Sequence, residues 1–194
     1  MSTAIFSNYS KTLITAAILL AALMFGYSDL LSTVYVGLEP VFMWSETTWF
    51  GYIGKNYGGI FAVIQAVHLL SMAVLGGAVI AGDGRVLGIV LRDVPVRTVV
   101  DRAHRIFVWA LIVVVATGIF MACGVASKIY FLPVYWFKML SLGAGTLFHF
   151  FIRRPLLRHD INQLNPIVVK MVAIASILVW FMVAATGRWI GFSG

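Results

Sequence analysis

Five apolar stretches, each about as long as a bilayer is thick, restrict this chain to a lipid environment. A helix needs about 20 mostly apolar residues to cross the hydrocarbon core. Backbone polar groups in lipid must be satisfied internally, which a helix does within its own segment. The predicted spans are residues 12–31, 57–81, 104–124, 134–152 and 167–190. We therefore expect an all-α integral membrane protein with five transmembrane helices.

The composition agrees with this interpretation. Hydrophobic residues make up 61% of the chain and charged residues 11%, with a mean hydropathy of +0.98. Soluble domains are about half apolar and a quarter charged. The only cysteine, Cys123, excludes an intrachain disulfide and a cysteine cluster for zinc or iron–sulfur. We expect one membrane domain over residues 1–194, its first span a retained anchor because no small-x-small cleavage site follows it.

The basic residues predict the orientation, because cytoplasmic loops carry the excess of lysine and arginine. Ten of the fourteen fall on one side: Lys11, Arg85, Arg92, Arg97, Arg102, Arg105, Arg153, Arg154, Arg158 and Lys170. The other side has Lys55, Lys128, Lys138 and Arg188. This asymmetry places the N-terminus in the cytoplasm and the C-terminus outside, and we expect the membrane to be the inner (plasma) membrane. The net charge of +7 is then a topology signal, and no nucleic-acid partner is expected.

Residues 32–56 form the longest predicted external loop. It contains Trp44, Trp49 and Tyr52, and aromatic side chains of this kind anchor helices at the membrane interface. An interfacial helix is the favoured interpretation. A docking surface or a lid over a site in the bundle is the alternative.

Histidines within the spans are the first candidates for chemistry, because ionisable residues in a bilayer are costly. His68 lies inside the second predicted span and His149 inside the fourth, while His104 opens the third. His159 falls in a polar loop and is expected to be solvated.

Heme b would use imidazoles from separate helices, with its apolar ring in the bundle core. We therefore expect His149, His68 and His104 to be the candidates for axial ligands of the heme iron. The propionates would lie at the basic end, where Arg85, Arg105 and Arg153 are the candidates.

Two pairings are open. Counted from the cytoplasmic boundary, His104 and His149 lie at similar depth. Counted from the external ends, His68 and His149 differ by only about 6 Å. His149 belongs to both pairs and is expected to be the most sensitive histidine.

Other polar residues in the spans have simpler interpretations. Lys138 is expected to extend its ammonium to the headgroups. Asp83 and Arg85 are expected to pair at the end of the second span. Met72, one turn after His68, is expected to pack, and the methionines form no M-x-x-M cluster for copper.

Short motifs carry a family resemblance over residues 58–159. They are His68-Leu69-Leu70, Gly76-Gly77, the run from Asp83 to Gly88, Thr117-Gly118, and Trp136-Phe137-Lys138-Met139 followed by His149. Together they resemble a family of small, uncharacterised bacterial membrane proteins that is related to the copper-resistance protein D superfamily.

The order of His68, the W-x-K motif and His149 is similar to that of HemJ-type protoporphyrinogen oxidases, which bind heme. This similarity implies that His68, Lys138 and His149 form the functional set. The chain departs from those enzymes at residues 72–77, where it lacks their tryptophan-rich stretch.

These observations predict a membrane protein that binds heme b and carries electrons as a subunit or partner of a redox complex, or as a homo-oligomer. An enzyme of the HemJ type acting on a porphyrinogen is one alternative. Copper transport is another, and the third is a heme-free accessory subunit whose histidines hydrogen-bond helices together.

Overall fold

A computed structural model describes residues 29–158 and 164–192. The described residues are helical, with no strand among them. Contacts divide the chain into two units, residues 1–42 and 43–194. The described part of the first unit lies in helix α1 (Asp29–Thr47), and the site described below lies in the second unit.

Besides the end of α1, the described residues of the second unit form three helices of 25 residues or more, one of 15 residues, three of eight or fewer, and one π-helical turn. Helix α2 (Trp49–Asn56) precedes α3 (Gly58–Val86) and α4 (Val96–Gly124). After the short α5 (Ala126–Tyr130) come α6 (Pro133–Leu147), a π-helical turn (Phe148–Arg153) and α7 (Arg154–Arg158), without a break between them. The last helix is α8 (Pro166–Ile190).

Prolines define where several of these helices begin. Pro133 and Pro166 occupy the first turns of α6 and α8, where the missing N–H costs no hydrogen bond. Asn165 caps α8, its side-chain oxygen accepting a bond of 2.9 Å from the Ile167 N–H. Helix α4 starts directly after Pro95, eight residues before the predicted start of the third span.

Three helices, α3, α4 and α8, are long and apolar enough to cross a membrane. They match the second, third and fifth predicted spans. The predicted fourth span, residues 134–152, covers most of α6 and of the π turn and ends before α7. Most of the predicted first span lies outside the described residues, and the predicted loop 32–56 is helical.

The core of the second unit forms where α3, α4 and α8 meet. Its buried side chains are Leu75, Ala78, Val79, Phe107, Ala110, Leu111, Trp180 and Val183. Helix α6 packs on α8, and Gly145 lets the two approach, because a Cβ there would lie 2.9 Å from Val179 Cγ1. This arrangement leaves a cavity between α3, α4, α6 and α8.

Candidate functional site

A largely apolar cavity of about 470 Å³ lies between α3, α4, α6 and α8. Its wall includes Leu75, Val114, Leu142 and Val183. The volume is within the range of about 300–1,000 Å³ that is usual for ligand pockets. Its polar side chains are few: Gln65, His68, Tyr135, Lys138, Trp180 and Arg188.

His68 is the imidazole in this wall, and its side chain is only 6% exposed. Its Nδ1 lies 2.8 Å from Thr117 Oγ1. The Thr117 hydroxyl donates its single hydrogen to the Val113 carbonyl at 2.6 Å. The hydroxyl must therefore accept from His68, so the proton is assigned to Nδ1 and Nε2 keeps its lone pair. The Val114 carbonyl also accepts a hydrogen bond from the ring, and this carbonyl lies 3.2 Å from Thr117 Oγ1. We assign both acceptors to the Nδ1 side, which leaves Nε2 without a hydrogen bond among the described residues.

Gly118 makes room for this ring. A Cβ at Gly118 would lie 3.3 Å from His68 Cε1, closer than ordinary van der Waals contact. The adjacent residues Thr117 and Gly118 thus act on the imidazole in different ways. Thr117 fixes which nitrogen carries the proton, and Gly118 leaves the space that the ring occupies.

Lys138 lines the same cavity instead of extending to the headgroups as predicted. A Cβ at Gly187 would lie 3.3 Å from Lys138 Nζ, so the ammonium lies against α8. Arg188, the next residue, also lines the cavity, and its guanidinium lies 4.6 Å from the ring centre of Phe192. Because Gly187 of α8 has no side chain, it leaves space for the Lys138 ammonium of α6.

His104 and His149 form a pair of histidines outside the wall of the cavity. His104 Nδ1 and His149 Nε2 are 3.1 Å apart, and the two rings are within 10° of parallel. His149 is 1% exposed and stacks on Phe107, with 3.7 Å between ring centres. His149 Nδ1 is buried and has no hydrogen-bond partner among the described residues.

The two predicted ligand pairs differ in how the structure arranges them. An imidazole nitrogen lies about 2 Å from the metal it binds, so two axial ligands have nitrogens about 4 Å apart. His104 and His149 are brought together, but as a hydrogen-bonded pair with no space for iron. His68 and His149 are not brought together. Phe107 covers His149, and Trp180, which lines the cavity, packs edge-on against Phe107 at 4.9 Å.

The described residues therefore offer the heme iron one histidine ligand and not two. The His68 cavity offers one imidazole with a free Nε2, an apolar wall and two cations, which suits an iron porphyrin with carboxylates. No part of the described chain gathers three or more histidine, cysteine or carboxylate side chains for another metal centre.

The predicted propionate ligands have other contacts. Arg153 Nε donates to Asp83 Oδ1 at 2.7 Å, and both side chains are at most 2% exposed. Arg85 instead donates to two loop carbonyls, Val94 at 2.7 Å and Arg92 at 3.2 Å. The expected Asp83–Arg85 pair is thus wrong, because residues two apart on a helix point to different faces. Arg105 is exposed.

The Asp83–Arg153 pair joins α3 to the π turn. Gly82 allows the guanidinium to approach, since a Cβ there would lie 2.9 Å from Arg153 Nη2. His149 and Arg153 both belong to the π turn, a feature that often marks functional positions in helices.

A small polar cluster links α1 to α5 at the predicted external end. The Glu46 carboxylate accepts from the Ser127 N–H at 2.7 Å and from its hydroxyl at 2.6 Å. Lys55 lies 3.5 Å away. The Ser127 hydroxyl, followed by its N–H and Lys55, holds the pKa of Glu46 below its usual range.

Sequence reasoning missed Arg188 and the partners of the histidines. Arg188 lies near the end of an apolar run, where a topology residue is expected. Thr117 and Gly118 were visible in the sequence as a motif, but their contact with His68 depends on how α3 packs against α4.

The comparisons identify a family. No curated protein and no solved structure matches the chain. A model of a family of unknown function, DUF6644, matches residues 41–193. The matched region contains His68, Thr117 and Lys138 as well as the His104–His149 pair. The chain belongs to the DUF6644 family.

Proposed function

We propose that this protein binds heme b in the His68 cavity and carries electrons within the membrane. The observation that supports it is the free Nε2 of His68 in an apolar cavity of about 470 Å³. When bound, the heme supplies the one-electron chemistry, and the chain supplies the ligand and a dry cavity.

The residues around His68 have separate roles in this proposal. The Thr117 hydroxyl accepts a hydrogen bond from Nδ1–H and so keeps the proton on Nδ1, which leaves the Nε2 lone pair available to the iron. Gly118 leaves the space in which the imidazole ring lies. The apolar wall, which includes Leu75, Leu142 and Val183, excludes water.

The proposed topology has five spans with the N-terminus in the cytoplasm of a bacterium. It is supported by three long apolar helices and by the ten-to-four division of basic residues. The cavity then lies toward the external side, since Lys138 and Arg188 are near the ends predicted to be external.

The proposed electron partner is another membrane redox subunit or a second copy of this chain. The bundle exposes many large apolar side chains, among them Trp109, Phe137 and Phe181 at 60% or more. Such surfaces suit lipid and packing against other transmembrane helices.

The absorption spectrum of purified protein from heme-replete cells tests this proposal. We expect a b-type spectrum upon reduction, absent from His68→Ala and retained in His149→Ala, the matched control. A colourless wild-type preparation, or a spectrum typical of two imidazole ligands, would contradict His68 as the single histidine ligand.

A second candidate is Cu(I) binding, favoured by the methionines of the same cavity. Met72, Met121 and Met139, from α3, α4 and α6, line it together with His68. Thioether and imidazole groups are ligands that Cu(I) accepts. If copper is the ligand, wild type should bind Cu(I) and the variant with the three methionines replaced by leucine should not. Heme bound equally by wild type and by this variant would favour the heme proposal.

A further inference from the structure

The charges of the His68 cavity are unbalanced. Lys138 and Arg188 both line it, and no aspartate or glutamate does so in the part of the chain that the structure describes. Lys138 is half-buried and forms no ion pair or hydrogen bond with any described residue. An uncompensated cation in an apolar membrane cavity is costly.

The two cations come from the packed helices α6 and α8 and line the same cavity. The ammonium of Lys138 lies against Gly187, the residue preceding Arg188, so α6 and α8 each contribute one positive group to one end of the cavity. The rest of the wall is mainly apolar. A ligand that complements it has an apolar body and anionic groups at one end.

We propose that the ligand of this cavity is an amphiphile with carboxylates, which Lys138 and Arg188 bind while its apolar body lies between α3, α4, α6 and α8. The inference deepens the proposed function, since it places the anionic end of the ligand at α6 and α8 rather than at Arg85, Arg105 and Arg153. Charge-assisted hydrogen bonds, which can be bidentate at arginine, would hold the carboxylates.

Two sources share this chemistry: a tetrapyrrole with two carboxylates, and a fatty acid from the membrane. Because two cations, Lys138 and Arg188, line the cavity, a ligand with two carboxylates complements it better than a ligand with one. The experiment below separates the two sources.

Metal-free protoporphyrin IX and its dimethyl ester test the inference without relying on iron. Titrated into purified protein, the diacid should bind at least about tenfold more tightly than the ester, because hydrogen bonds to charged groups are the strong ones. The double variant Lys138→Met/Arg188→Met should bind both forms equally. Lys170→Met, which removes a cation from the other end of α8, should keep the preference.

The Gly187→Val variant tests the position of the ammonium without removing it. The added side chain would displace Lys138 Nζ, so the preference for the diacid should fall. A variant that elutes from size exclusion like wild type and keeps its melting temperature shows that the effect is not unfolding.

The outcomes distinguish this inference from the proposed function. His68→Ala should keep the preference for the diacid, because a metal-free ring needs no axial ligand. If His68→Ala keeps this preference and the wild-type protein binds no heme, the proposed function is wrong and the carboxylate site remains. Palmitate that displaces the porphyrin from wild type but not from the double variant would identify a fatty acid as the ligand. Equal affinity of wild type for diacid and ester, or no binding of either carboxylate, would overturn the inference.

Discussion

At the scale of single residues, the state of His68 depends on one hydroxyl. Thr117 donates to its own helix at the Val113 carbonyl and accepts from His68 Nδ1. Such partners of a metal-binding imidazole set its tautomer and raise its basicity. A histidine that looks isolated in the sequence therefore has its tautomer set by a residue 49 positions away, as the proposed ligand role requires.

Replacing Thr117 should weaken heme binding. Thr117→Val keeps the shape of the side chain but removes the acceptor, so heme affinity should fall by about 10–100-fold. Thr117→Ser keeps the hydroxyl and should bind nearly as wild type. Titration of heme into the apoprotein measures the difference, and equal affinity of Thr117→Val and wild type would show that the contact does not prepare the ligand.

Asp83 and Arg153 should be strongly coupled. Removing one partner leaves a buried charge unpaired, which costs about 3–5 kcal/mol, whereas replacing both with apolar residues costs far less. Thermal unfolding in detergent should therefore rank Asp83→Ala as less stable than Asp83→Leu/Arg153→Met. If the double variant is the less stable one, the pair itself contributes net stability.

At the scale of elements, the second, third and fifth predicted spans lie close to the observed helices α3, α4 and α8, whereas the contacts between the helices did not follow from the sequence. Apolar runs and prolines place helix ends to within a few residues, although α4 extends eight residues before the predicted span. The π turn has no signal in the apolar pattern, and it lies at His149 and Arg153. Depth counting brought His104 and His149 together, but it cannot give ring orientation, which depends on the π turn and on Phe107.

The contact between the end of α1 and α5 should depend on pH. Ser127 holds the pKa of Glu46 below its usual range. The ionised Glu46 carboxylate therefore contributes fully to stability when the pH is above the usual pKa of a glutamate, and this contribution is lost as the pH falls through the lowered pKa. Glu46→Gln resembles the protonated carboxyl. Melting temperatures of wild type and this variant should differ at pH 7 and converge in acid; a difference independent of pH would contradict the ionised contact.

At the scale of the whole molecule, the distribution of basic residues along the bundle relates the cavity to the proposed orientation in the membrane. The arginine-rich ends of α3 and α4 lie at one side, and Lys138 and Arg188 lie toward the other. The anionic end of the proposed ligand is then away from the buried Asp83–Arg153 pair, and in the proposed topology it faces the outside of the cell.

Reporter fusions test this orientation. A phosphatase fused after residue 194 should be active outside the cytoplasm, whereas one inserted between α3 and α4 should be inactive, because ten basic residues hold that side in the cytoplasm. The opposite pattern would place the cavity toward the cytoplasm.

The heme content of purified His68→Gly, with and without added imidazole, tests the central claim most directly. The glycine removes the ligand and leaves a space of its shape beside Thr117, so free imidazole can take its place. We expect the variant to be purified without heme and to regain heme and its b-type spectrum when imidazole is supplied. Heme bound at the wild-type level by His68→Gly without imidazole would contradict the assignment of His68 as the ligand.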